Sequence, residues 1–309
     1  MDLDVVFLGT AASAPTAHRG LPALLVRRGG EKLLFDCGEG TQRQLVKSVG
    51  LVEIDDIFIT HFHADHVLGL PGLLKTYGLQ GRERRLRVWG PPGLERLFKT
   101  LAPVIGKLPY ELQVAELEAG EELPGEGYTL TAFNVDHGVP AFGYALAEAE
   151  RPGRFDAARA CELGVAEGPD FGRLQRGEAV GDVTPEQVLG DPRPGRTVVT
   201  GGDSAPCAWT ATEAAGADLL VHEATFMSED ADRAKETRHS TAAGAARLAA
   251  EAGVKLLALT HVSSRYPVRD LRKEAEAEFA NTIVPRDFDS VQIPLPERGE
   301  PMHLRDDAD

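Results

Sequence analysis

Cysteine is scarce in this sequence, and the three present, Cys37, Cys161 and Cys207, are odd in number and far apart. That argues against a disulfide framework and against a four-cysteine zinc site, leaving reduced thiols. Long apolar runs are missing too. No stretch approaches the roughly 20 uninterrupted apolar residues that a membrane-spanning helix requires, so no membrane partner is expected. The opening Met1-Asp2-Leu3-Asp4 has no basic segment or small-residue cleavage site and passes straight into apolar residues, which makes the cytoplasm the expected location. Basic residues are in deficit, 33 Lys and Arg against 48 Asp and Glu, for a net charge of −15. On its face this disfavours a polyanionic partner. Part of the acid excess falls in residues 111–126 and in the tail 305–309, both of which read as solvated surface. Internal repeats and low-complexity tracts are absent.

What is present suffices for a substantial core: 309 residues, 42% hydrophobic and 26% charged. Apolar runs predict strands over 4–9, 22–26, 32–36, 56–60, 86–89, 128–133, 142–146, 197–200, 218–221 and 255–259, with a hairpin turning at Gly29-Gly30. Residues 41–48 read as a helix. So do residues 240–252, which are alanine-rich, open on Ser and Thr, and stop at Gly253. Strands and helices mixed in two halves of similar order point to an α/β fold layered as an αββα sandwich rather than a barrel. Between about 150 and 194 the pattern gives way to Pro, Gly and Arg with no obvious core element, and this reads as an insertion projecting from a single domain of residues 1–309.

The chemistry concentrates in Thr60-His61-Phe62-His63-Ala64-Asp65-His66, which places three imidazoles and a carboxylate just after a strand. In extended chain, residues two apart face the same side, so His61 and His63 can grip one ion. A turn at Ala64 then swings Asp65 and His66 toward a second. Nitrogen and oxygen ligands without thiolate suit two Zn²⁺ ions, with Mn²⁺ or another divalent ion possible.

This HxHxDH run resembles the signature of the metallo-β-lactamase superfamily. The resemblance implies a four-layer αββα sandwich and supplies further ligands. His137 in Asn134-Val135-Asp136-His137-Gly138 matches the third histidine of the first metal. Asp203 in Thr200-Gly201-Gly202-Asp203-Ser204 matches the bridging carboxylate, and His261 in Leu259-Thr260-His261 matches the last ligand of the second metal. The mechanism implied is hydrolysis by a metal-bound hydroxide, with Asp65 both ligating a metal and orienting or deprotonating the water.

Further segments are similar to the ribonuclease Z family, whose members remove the 3′ trailer from precursor tRNA. They are Leu8-Gly9-Thr10 with Pro15-Thr16 and Arg19, then Phe35-Asp36-Cys37-Gly38-Glu39-Gly40-Thr41-Gln42, and Gly69-Leu70-Pro71-Gly72-Leu73-Leu74 after the His motif. His222-Glu223-Ala224-Thr225 resembles the family's HEAT motif, and Arg238-His239-Ser240-Thr241 its His-Ser-Thr box. The family match makes His239 the donor of a proton to the departing ribose 3′ oxygen, with Glu223 as its orienting partner.

In the family, an arm between the third and fourth ligand motifs clamps tRNA bound to the partner subunit. By resemblance the 150–194 insertion is that arm, with Arg154, Gly168, Pro169 and Arg173 as substrate contacts, precursor tRNA as partner and a homodimer as assembly. Residues 150–180 also carry six acidic residues, so the arm is not basic by net charge. Arg82, Arg84, Arg85 and Arg87 are candidates for a local positive surface. A small-molecule phosphodiesterase or arylsulfatase-like hydrolase would share the metal ligands without needing the arm. An inactive RNA-binding protein would be expected to lack one or more of the seven ligands, and all seven are here.

Overall fold

A computed structural model describes residues 1–306; residues 307–309 of the acidic tail lie outside the described residues. Six strands come first in the chain: β1 (Leu3–Gly9), β2 (Ala23–Arg28), β3 (Glu31–Phe35), β4 (Asp56–Phe58), β5 (Leu86–Gly90) and β6 (Leu112–Glu116). Seven more follow: β7 (Glu122–Gly125), β8 (Tyr128–Asn134), β9 (Phe142–Glu148), β10 (Thr197–Thr200), β11 (Leu219–Glu223), β12 (Leu256–Thr260) and β13 (Thr282–Ile283). The chain then returns with β14 (Ser290–Gln292) and β15 (Met302–Leu304) to the first sheet, whose order is β15-β14-β1-β2-β3-β4-β5-β6. The second sheet runs β13-β12-β11-β10-β9-β8-β7.

Helices cover the outer faces. α1 (Thr41–Ser48), α2 (Ala64–Val67), α3 (Leu70–Leu79) and α4 (Leu94–Ile105) belong to the first half. α5 (Ala157–Glu162) and α6 (Pro169–Gln175) lie in the insertion. α7 (Ala208–Glu213), α8 (Ala231–Thr237), α9 (Ala242–Ala252) and α10 (Val268–Glu278) belong to the second half. Side chains alternate across each strand, so a strand covered on both faces reads as one continuous apolar run. In β1, Leu3, Val5 and Phe7 enter the core between the sheets, while Val6 and Leu8 enter the layer beneath α1, α3 and α4. In β12, Leu256 and Ala258 face the other sheet, and Leu257 and Leu259 pack under α9 and α10. The αββα order follows from three stacked cores.

Two readings of the sequence need correction. Residues 111–126 are not plain solvated surface, because they supply β6 and β7, the edge strands of the two sheets, with Leu117 buried between them. Edge strands expose one side and commonly carry charge, which is why their acidic residues masked them. The insertion is also more than a coreless loop. α5 and α6 enclose a small separate core of Ala160, Val165, Leu174, Val183 and Val188, with Phe155 and Phe171 against it. Its neck is tied by the bridges Arg151↔Arg193 and Phe155↔Leu189.

The 240–252 helix begins at Ala242, because Thr241 caps it: its hydroxyl accepts from Gly244 N at 3.0 Å. Gly253 takes φ +66° at the other end, the left-handed stop that glycine permits.

Candidate metal centre

β4 is parallel to β3 and β5, and β10, β11 and β12 are parallel to one another. β8 reaches β10 through two antiparallel pairings, so it points the same way as β10. The loops that follow β4, β8, β10 and β12 carry His61-Phe62-His63, His137, Asp203 and His261. The sheets meet beneath the site: Phe142 N donates to Thr60 O at 2.9 Å, and Tyr144 OH to Ile59 O at 2.7 Å. Residues distant in sequence thus converge at one end of the sandwich.

All seven predicted ligands meet there, in two adjoining sets. In the first, His61 Nε2 lies 2.8 Å from His63 Nδ1, which lies 3.3 Å from His137 Nε2. The second set is Asp65, His66, Asp203 and His261, all buried. His66 Nε2 is 3.6 Å from Asp65 Oδ2 and 3.4 Å from Asp203 Oδ2; His261 Nε2 is 3.4 and 3.3 Å from the same two oxygens. Asp203 Oδ2 is also 3.9 Å from His61 Nε2, which puts it between the sets.

These spacings bear on whether ions fit. Ligands bound tetrahedrally at about 2.0–2.1 Å stand roughly 3.3–3.4 Å apart. The second set and the His63–His137 pair match that separation; the His61–His63 pair is closer. Among the described residues, the buried Nε2 of His66 has no hydrogen-bond partner although it faces two carboxylates. A buried ring nitrogen left without a hydrogen bond and aimed into a carboxylate cluster is what a cation-binding nitrogen looks like before the cation is counted.

The charge balance agrees. Burial alone would push Asp203 up, yet His261 and His66 hold it well below the usual carboxylate range. Burial alone would push His66 down, yet Asp203 and Asp36 hold it well above its ordinary value. His61 is driven far down by burial and by the neighbouring His66. A buried group this rich in carboxylate demands positive charge, which divalent cations supply in place of protons.

Four of the five ligand histidines, His61, His66, His137 and His261, are held from behind. Thr60 Oγ1 sits 3.0 Å from His61 Nδ1 and bonds Asp36, whose Oδ2 is 2.7 Å from His66 Nδ1. Thr225 Oγ1 lies 2.8 Å from His261 Nδ1 and donates to Glu223 Oε2 at 2.6 Å. His137 Nδ1 faces the backbone oxygen of Arg238 at 3.4 Å. Such partners fix which ring nitrogen carries the proton and which one can ligate. Asp36, Thr60 and Thr225 stood in the sequence only as members of quoted motifs, with no role of their own assigned. The available signal was a carboxylate ending the apolar strand at Phe35-Asp36 and a threonine inside the HEAT segment.

His239 stands beside the cluster. Its Nδ1 is 2.5 Å from Glu223 Oε1, and its ring stacks on His261 at 5.6 Å and meets His137 edge-on at 5.1 Å. Burial lowers its pKa, but the Glu223 hydrogen bond and charge outweigh that and bring it to about 8. Glu223, 1% exposed, also accepts from Ser204 N and Thr225 N, so it cannot swing away. Neighbouring His222 is buried, with its Nδ1 on Glu223 O and its Nε2, among the described residues, unpartnered.

The predicted arm contacts lie elsewhere. Arg154 is exposed and, among the described residues, has no side-chain partner, whereas Arg173 is bound by Asp170 and Glu178 within the arm. Gly168 and Pro169 are exposed at the start of α6. None of the four touches the cluster. The arginines at 82–87 do not form a surface over it either. Arg82 is 4% exposed and donates to the carbonyls of Ile54, Arg84 and Arg85. Arg87 pairs with Asp56 at the start of β4, the end of the sheet opposite His61.

Comparison with known proteins agrees with this geometry. Residues 21–144 match the metallo-beta-lactamase superfamily model, whose fold the four layers share. Ribonuclease Z of Gemmatimonas aurantiaca is 47% identical over 307 residues, covering 96% of this chain and 98% of that one. Ribonuclease Z of Methanosarcina acetivorans is 46% identical over 301 residues, covering 94% and 98%. The crystal structure of human tRNase Z, short form, superposes with a TM-score of 0.69 at 30% identity, covering 94% and 99%.

Proposed function

The chain belongs to the ribonuclease Z family of the metallo-β-lactamase superfamily, and from that premise we propose that it is a metal-dependent endoribonuclease that removes the 3′ trailer of precursor tRNA and leaves a 3′-hydroxyl. The observation that carries the reading is the His239–Glu223 pair set beside seven converging ligands. A metal cluster alone serves many hydrolyses, but a fixed acid beside it suits a poor alkoxide leaving group.

His61, His63 and His137 would hold one ion, and Asp65, His66 and His261 the other, with Asp203 shared; zinc fits this donor set best. Bound there, the ions would make water acidic near neutrality and offset charge on the phosphodiester. Asp65 would orient the attacking water and accept its proton. Glu223 holds Nδ1 of His239, so the opposite nitrogen, Nε2, delivers a proton to the departing ribose 3′ oxygen. The arm, with its own small core, supports an RNA substrate over a small phosphodiester or arylsulfate ester, since neither would require a separately folded insertion. Homodimer formation and a cytoplasmic setting follow from the same reading.

The test is to incubate the zinc-loaded protein with precursor tRNA bearing a 3′ trailer. The expected product is tRNA ending in a 3′-hydroxyl, with the phosphate left on the trailer and no cleavage by His63→Ala. A cyclic phosphate or a 3′-phosphate on the tRNA would overturn the mechanism.

A further inference from the structure

Among the described residues, four non-glycine residues adopt positive φ: Asp36, Arg238, His261 and Phe288. The side chains of Asp36 and His261 belong to the metal centre or support it. Arg238, at φ 55°, stands immediately before His239 and closes α8. A helix end in this conformation is ordinarily glycine, which enters it without strain. An arginine kept there points to a use for its side chain.

The surroundings of that side chain indicate the use. Arg238 Nη1 donates to His137 O at 3.2 Å, and its backbone oxygen faces His137 Nδ1, so the residue is tied to the loop carrying His137 of the first ligand set. The guanidinium is 57% exposed, and the anion it faces is Asp136 Oδ1 at 3.6 Å, itself 47% exposed. An exposed pair of that length is weak and readily exchanged. The remaining N–H donors open onto solvent beside the cluster, in the planar fork that matches a phosphate bidentately.

We propose that Arg238 is a substrate-anchoring residue that grips a backbone phosphate of the RNA next to the scissile one, exchanging Asp136 for it. The proposal rests on the ribonuclease reading above. It adds a phosphate subsite on the His137 side of the centre.

The test measures equilibrium binding of a precursor tRNA whose trailer junction carries an uncleavable methylene phosphonate, alongside hydrolysis of bis(p-nitrophenyl) phosphate and zinc content. Arg238→Ala should weaken binding about tenfold and make the slope of log affinity against log salt shallower by about one. Its zinc content should stay at the wild-type value, because the contact that orients the His137 ring comes from the backbone oxygen of residue 238, which the substitution keeps, and any loss of small-diester hydrolysis should be far smaller than the loss of tRNA binding. Arg238→Gly, which suits the positive φ, should behave as Arg238→Ala and excludes misfolding as the cause. Arg238→Lys should restore the salt slope while recovering only part of the affinity. Unchanged tRNA affinity and salt slope in both Ala and Gly variants would overturn the proposal. So would loss of zinc and of small-diester hydrolysis in step with tRNA binding, which would reduce Arg238 to a support of His137. Failure of the wild type to cleave authentic precursor while still binding the analogue would count against the ribonuclease reading alone.

Discussion

Asp36 shows how much of the centre depends on residues that touch no ion. Its carboxylate binds His66 Nδ1 and Thr60 at once, orienting one histidine directly and His61 through the threonine hydroxyl. Replacing Asp36 by alanine should weaken binding at the second metal position about 10- to 100-fold, read by competition with a chromophoric chelator. Wild-type affinity would show that His66 needs no such partner. Glu223 acts likewise on His239. A histidine whose pKa is raised holds its proton until the pH passes that raised value, so the acid form is lost on the alkaline side. Glu223→Gln removes the charge that raises it. The alkaline limb of the kcat profile should therefore shift to lower pH; an unmoved limb would assign that limb to another group. Four of the seven candidate ligands were legible in the sequence because they fall within six residues of Thr60, while His137, Asp203 and His261 came only through the family resemblance. Asp36, Thr60 and Thr225 were not legible, because a threonine or aspartate behind a histidine is recognisable only once the fold brings Asp36 against His66 and Thr225 against His261.

At the scale of elements, the strands most readable from sequence are those buried on both faces, such as β1, β11 and β12, where alternation between two cores produces runs of consecutive apolar residues, Val5 to Leu8, Leu219 to Val221 and Leu256 to Leu259. β6 and β7 went unread because their open edges carry Glu111, Glu116 and Glu122. The arm's core went unread because it is assembled from a few small side chains, Ala160, Val165 and Val183 among them, spread over two short helices and the loops around them. One buried ionic link ties elements of the two sheets: Glu148 of β9 accepts from Arg28 of β2 at 2.8 Å and from Arg196 at 2.7 Å, all with side chains 2–7% exposed. Glu148→Ala would leave buried Arg196 without an acidic partner and Arg28 with only the longer pair to Glu31 at 3.5 Å, and should cost about 3–5 kcal/mol, measured by urea unfolding. A loss under 1 kcal/mol would contradict the burial. Burial raises the Glu148 pKa, but the hydrogen bonds from Arg196 and Arg28 lower it further than that. A depressed carboxyl contributes stability above its unfolded pKa and loses it as pH falls toward the folded one. Glu148→Ala should thus flatten the acid side of the stability curve.

Across the whole molecule, a net charge of −15 must be reconciled with an RNA substrate. Most arm arginines are already paired, Arg159 with Glu162, Arg173 with Asp170 and Glu178, and Arg151 with Glu297. The arm therefore offers shape and a few exposed donors such as Arg154 rather than a positive field. Its neck allows a clean excision, because the Gly153 and Gly190 backbones are in contact. Removing residues 154–189 and joining Gly153 to Gly190 should leave hydrolysis of a small phosphodiester within about twofold while reducing precursor tRNA cleavage at least 100-fold. Equal losses on both substrates would mean that the arm supports the fold instead of the substrate. The central claim, that the seven convergent ligands form a two-ion centre for RNA cleavage, is tested most directly by titrating metal-stripped protein with zinc while following trailer release. The account predicts no cleavage before zinc is added and a rate that saturates at two ions per chain; cleavage by the stripped protein, or a plateau at one ion, would contradict it.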